Sequence, residues 1–90
     1  MSNFGLTFYW IDEMNQIKYE YQRIRDLRQS KNITQKELAN FLQIKQQQYA
    51  RYEKGINELP LRHLKNICIY LNTSADYILD LPRTLENPKI

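Results

Sequence analysis

From about Met14 onward, apolar residues recur at intervals of three and four. Ile17, Tyr21, Ile24 and Leu27 fall on one side with basic residues between them, which is the spacing of a single buried helical face. A first helix is predicted over residues 15 to 31, and Asn32 stands where a helix end takes a left-handed residue. Thr34-Gln35-Lys36-Glu37 reads as a capping box: the Thr34 hydroxyl accepts the Glu37 amide while the Glu37 carboxylate accepts the Thr34 amide. Leu38, Ala39 and Leu42 make the inner face of the helix it opens. The pattern breaks at Gln43 and resumes with Ile44, Tyr49 and Tyr52 up to Lys54 and Gly55, so two short helices with a tight turn between them are predicted.

Residues Ile56 to Leu59 read as a loop, and Pro60 sits at the first turn of a fourth helix. Its predicted buried stripe is Leu61, Leu64, Ile67, Cys68 and Leu71, with Asn72 closing it. Thr73 or Ser74 caps a last short helix carrying Asp76, Tyr77, Ile78 and Leu79. Pro82 and Pro88 mark an irregular tail over 82–90. The opening residues follow another rule, because Phe4, Leu6, Phe8 and Trp10 alternate with Gly5, Thr7 and Tyr9, a period of two that suits an extended strand. The predicted organisation is an N-terminal extension over 1–13, a helical domain over 14–81 and the tail. Phe4, Phe8, Trp10 and Ile11 suggest that the extension packs on the domain or forms a strand across a dimer. A start at Met14, with the preceding residues a loose extension, is the other reading.

Ninety residues with 42% apolar content suffice for one core and exclude a multidomain enzyme. The net charge of +3 is modest, but it is unevenly placed: Lys18 to Lys54 holds nine basic and four acidic residues, leaving the rest of the chain slightly acidic. That middle segment is where an anionic partner is expected. Cys68 and His63 each stand alone, so no metal ligand set and no nucleophile with its base is available. Gly5 and Gly55 are the only glycines, too few for a phosphate-cradling loop. A non-enzymatic protein without cofactor or metal is expected. No apolar run approaches the roughly 20 residues of a membrane helix, and no secretory leader is evident, so a cytoplasmic setting is expected. Cys68 reads as a small buried hydrophobe and His63 as an exposed helix residue. Arg23, Arg25, Lys31 and Lys36 read as solvated.

The segment from Ile33 to Tyr52 has the geometry of a helix-turn-helix, in which two short helices cross steeply and need a small residue at their contact. Ala39 supplies it. With Tyr49 and Tyr52 inward, Gln46, Gln47, Ala50, Arg51 and Lys54 fall on the opposite side. That face is polar and cationic. Glutamine can bond the adenine N6 and N7 edge in the major groove, and arginine reads guanine or grips phosphate.

On these residues the sequence resembles the Xre and Cro-type repressor family over about residues 20 to 80. The resemblance is carried by Leu27-Arg28, by Ile33-Thr34-Gln35 through Glu37-Leu38-Ala39 to Leu42, by Arg51-Tyr52-Glu53-Lys54-Gly55 with Pro60 beyond, and by Ser74-Ala75-Asp76-Tyr77-Ile78-Leu79. It implies an all-α, compact, five-helix lambda-repressor-like domain whose third helix enters the major groove of double-stranded DNA. It further implies a homodimer on a palindromic operator. By position, Gln46, Gln47 and Arg51 would read bases, with Lys45 and Ala50 on the same contact surface, while Gln35 and Lys54 match phosphate-holding positions. Arg28 and Glu53 match a pair that ties the first helix to the third, and Glu53 needs such a partner at the carboxyl end of its helix. Tyr70, Tyr77, Ile78 and Leu81 lie near the family's usual dimer contact.

Three positions depart from the family pattern. Gln43 replaces the glycine usual in the turn, Lys45 replaces the Ser or Thr that caps the recognition helix, and Glu58 and Leu61 stand where phage-type relatives often carry cations. The implied activity is transcriptional regulation, most simply repression by occupancy. Two other classes fit the residues as well: an antitoxin that binds a toxin protein and autoregulates, and a protein-interaction adaptor on the same fold.

Overall fold

The computed structural model describes residues 19–89. The predicted strand-like opening and its apolar residues therefore lie outside the described residues, as does the first part of the predicted opening helix. Five helices follow in order: α1 Glu20–Ser30, α2 Gln35–Leu42, α3 Gln46–Glu53, α4 Leu61–Leu71 and α5 Ala75–Leu79. No strand occurs among the described residues. The fold is all-helical, with α2 packed on α3 and α4, and α1 lying across α3, α4 and α5. Helix α1 begins later than its periodicity implied. Tyr19 is extended and forms its N-cap, and its amide donates to the side-chain carbonyl of Gln22 at 3.2 Å.

One device ends all five helices. A left-handed residue follows the last turn, its amide donates to the third residue back, and the next amide donates to the fifth residue back. The left-handed residues are Asn32, Gln43, Gly55, Asn72 and Asp80. Their successors Ile33, Ile44, Ile56, Thr73 and Leu81 make the longer bonds, to the carbonyls of Arg28, Ala39, Arg51, Cys68 and Asp76. The chain thus turns back sharply at every corner, which lets five short helices close on one core. Gln43 does this at φ 58° without glycine, at a cost on the order of 1 kcal/mol. Gly55, at φ 75°, has a second constraint: a Cβ there would meet the Tyr21 ring at 2.8 Å.

The core is Ile24, Leu38, Ala39, Leu42, Tyr49, Leu64, Ile67, Leu71 and Ile78, with Leu27, Ile33, Ile44, Leu59, Cys68 and Tyr70 packed against it. Thr34 caps α2 by accepting the Glu37 amide at 3.0 Å, and Ser74 caps α5 by accepting the Tyr77 amide at 3.1 Å. The second half of the predicted box does not form. The Glu37 carboxylate instead accepts from the Tyr70 hydroxyl of α4, which holds α2 against α4 and lies beside the Phe41–Tyr70 ring contact.

Four sequence expectations are corrected by this packing. Leu61, placed on the buried stripe of α4, is exposed at the start of that helix, whereas His63, expected in solvent, is buried with its ring against Tyr52. Arg23, expected in solvent, lies over the Tyr77 ring and pairs with Asp80 at 3.4 Å, joining α1 to α5. Cys68 is only half-buried, and burial pushes its thiol above the usual range.

His63 carries a pH prediction. Neither ring nitrogen has a hydrogen-bond partner among the described residues, and burial first, then the nearby Arg62 charge, lowers its pKa. The folded state therefore binds this proton less readily than the unfolded chain, whose histidine titrates near about 6.5. The stabilising contribution is complete above that value and is lost as pH falls toward the lower folded value. Urea unfolding of the protein should show stability declining as pH falls below the unfolded histidine value of about 6.5, with a shallower decline in His63→Leu. Identical slopes for the two proteins would contradict the assignment.

Candidate nucleic-acid interface

Helix α3 is two-faced because 100° of rotation per residue separates its aromatic positions from its amides. Tyr49, Tyr52 and Glu53 are buried. Gln46, Gln47, Arg51 and Lys54 are exposed and Ala50 is half-buried. Gln46, Gln47 and Ala50 line one shallow open depression together with Gln35 from the start of α2. Lys45 is the N-cap of α3, extended, exposed and without a side-chain cap bond. All seven residues singled out from the sequence for nucleic-acid contact thus lie on or beside one side of the bundle.

Their side chains are committed to different degrees. Gln46 and Gln47 make no side-chain hydrogen bond among the described residues, whereas the Gln48 amide donates to the Tyr52 hydroxyl at 2.9 Å. Gln35 reaches inward, its amide nitrogen donating to Glu53 at 3.2 Å, so the α2 N-terminus presents its backbone more than this side chain. Arg51 donates its Nε–H to the Asn57 side-chain oxygen at 2.7 Å, a contact that sequence spacing did not reveal. The loop bearing Asn57 also returns to the Arg51 carbonyl, through the Ile56 amide at 3.0 Å and the Asn57 amide at 3.4 Å.

Beneath this surface α3 is held by one ion pair. Arg28 of α1 donates two bonds to the Glu53 carboxylate, at 2.9 and 2.7 Å, in the planar fork geometry that arginine favours. A third bond runs from Arg28 to the Ile33 carbonyl at 2.7 Å. Burial alone would raise the Glu53 pKa, but the bonds from Arg28 first, and from Gln35, outweigh it and hold the carboxyl below its ordinary range. The bond to Glu53 likewise raises the Arg28 guanidinium further, against burial. Burial and the adjacent Glu53 push the Tyr49 phenol upward. The carboxylate at the unfavourable end of α3 is thereby neutralised from below, and the outer face keeps only its cations.

This arrangement, an eight-residue helix with amides and cations outward, set behind a capped helix and a left-handed turn, is that of a helix-turn-helix. A helix-turn-helix family model matches residues 24–78. The chain belongs to the Xre/Cro-type helix-turn-helix family. It is similar to the SPbeta prophage-derived uncharacterized HTH-type transcriptional regulator YonR of Bacillus subtilis (strain 168), at 33% identity over 75 residues, covering 76% of this chain and 69% of the relative. No solved structure matches it at a significant level.

The four residues placed near a family dimer contact separate on the structure. Tyr77 and Leu81 are exposed, as are Leu79 and Leu85. Tyr70 is half-buried with its hydroxyl given to Glu37. Ile78 is fully buried in the chain's own core, so it supports α5 from within and presents no surface. Among the described residues no cluster of His, Cys, Asp and Glu suits a metal ion, and no helix is long and apolar enough to cross a membrane.

Proposed function

We propose that this protein is a sequence-specific, double-stranded DNA-binding regulator that reads its operator with the outer face of α3. The reading rests on one observation above all: the residues of α3 that can bond base edges or phosphates face outward, while its aromatic and acidic residues are turned into the core. Gln46 and Gln47 act as amide readers of base edges, Arg51 as a guanine or phosphate ligand, and Lys54 as a phosphate ligand. Lys45 adds charge at the helix start, and Gln35 marks where the α2 N-terminus meets the backbone. The naming of the Bacillus relative as a transcriptional regulator supports the same role.

Within this reading the protein acts as a cytoplasmic repressor by occupancy. A homodimer formed through the exposed Tyr77 and Leu81 surface would set two copies of α3 about 34–36 Å apart, one turn of the duplex, so that a palindromic site is read twice. Selection from a random duplex pool supplies the operator for the test. Gln47→Ala should weaken binding to the selected site by about 1–3 kcal/mol and leave random-sequence duplex nearly unaffected. Lys54→Ala should weaken both and reduce the salt slope by about one ion. Equal losses on every sequence for Gln47→Ala would remove base reading from that residue. A salt-insensitive failure of the wild-type protein to bind any duplex would overturn the function.

A further inference from the structure

We infer that Asn57, in the loop between α3 and α4, is a specificity-determining positioning residue that acts through Arg51. The inference rests on the regulator reading above and adds a residue outside the recognition helix. Arg51 is exposed on α3, and an unrestrained arginine on a helix surface samples many rotamers that it must give up on binding. Here the Asn57 side-chain oxygen, Oδ1, accepts the Arg51 Nε–H at 2.7 Å. The loop is itself pinned to Arg51, because the Ile56 and Asn57 amides donate to the Arg51 carbonyl. The acceptor is therefore carried by a segment fixed to the backbone of the residue it orients.

The choice of atoms matters. A guanidinium has five N–H donors in one plane, and Asn57 takes the Nε–H alone. The four donors on the two terminal nitrogens make no bond among the described residues, so they remain a two-pronged fork for guanine O6 and N7 or for phosphate. The acceptor is also neutral. An aspartate at 57 would hold the same N–H but cancel the charge that draws Arg51 to DNA. Asparagine fixes direction and keeps the full positive charge.

The test uses the full chain, the duplex recovered by selection, a set carrying single-base changes, and a random-sequence duplex. Asn57→Ala should reduce discrimination at one base position by roughly 3- to 10-fold, a larger loss on the selected site than on random duplex. Asn57→Asp should keep discrimination at that position while binding random duplex more weakly. In an Arg51→Ala background, Asn57→Ala should have no further effect, because the two residues act as one unit. A purely structural role for Asn57 would give the same loss with or without Arg51, and that result would overturn the proposal. So would undiminished discrimination in Asn57→Ala when the wild-type protein discriminates. Failure of the wild-type protein itself to tell the selected from the random duplex would instead overturn the regulator reading, and this inference with it.

Discussion

Glu53→Ala should lower the unfolding free energy by about 3–5 kcal/mol. The cost does not come from a large net gain in the Arg28–Glu53 pair, since the desolvation of two buried charges offsets most of their attraction. It comes from what the truncation leaves behind. Arg28 is 7% exposed and would lose both carboxylate bonds, keeping only its bond to the Ile33 carbonyl. Gln35 would lose its acceptor as well. Against a typical stability of about 5–15 kcal/mol, this brings the domain close to unfolding at physiological temperature. Replacing both partners with apolar residues, as in Arg28→Met with Glu53→Leu, should recover much of the loss, because neither charge is then stranded. Urea titrations followed by circular dichroism measure both. A Glu53→Ala protein within about 1 kcal/mol of wild type would show that the pair is dispensable. The same carboxylate sets an acid limit: its folded pKa is lowered, so its contribution is complete above the unfolded value of about 4.3 and is lost as pH falls through the folded one. That window opens at a lower pH than the one assigned to His63.

Most of the helical plan was legible in the sequence because its signals are local. Thr34 and Ser74 cap the helices that begin after them, and Asn32, Gln43 and Asn72 end theirs in the left-handed conformation, each within reach of its own neighbours. The errors on α4 have a common cause. With leucines taken as anchors, the stripe drew in Leu61; on a wheel of about 100° per residue centred on Ile67, Leu61 lies about 120° away and His63 only about 40°. His63 was therefore readable as a buried position, and its residue type argued against its place. The two sides of α3 followed from Tyr49 and Tyr52 alone, since a helix that buries two aromatics three positions apart on one side turns the positions opposite them outward. What the sequence could not announce were polar contacts closed by the fold. Tyr70 meets Glu37 thirty-three positions away, Arg23 meets Asp80, and Asn57 meets Arg51 through the curl of a loop, all depending on where the helices finally lie.

Leu38→Ala should cost about 2–5 kcal/mol, the range for removing a buried leucine side chain and leaving a partly relaxed cavity. Leu38 is fully buried on α2, which packs against both α3 and α4, so its loss is felt by the helix that bears the candidate DNA surface. Leu38→Met, which nearly conserves volume, should cost less than about 1.5 kcal/mol. The functional consequence follows from length. An isolated helix shorter than about 12 residues is marginal in water, and α3 has eight; its shape is held by Tyr49, Tyr52 and Glu53 beneath it rather than by its own sequence. DNA binding in Leu38→Ala should therefore disappear along the same temperature curve as the global circular dichroism signal. It should return, at temperatures where the variant is folded, to the wild-type affinity, because no outward residue has changed. Loss of binding well below the unfolding transition would mean that α3 detaches from the bundle on its own, with the Arg28–Glu53 pair too weak to hold it.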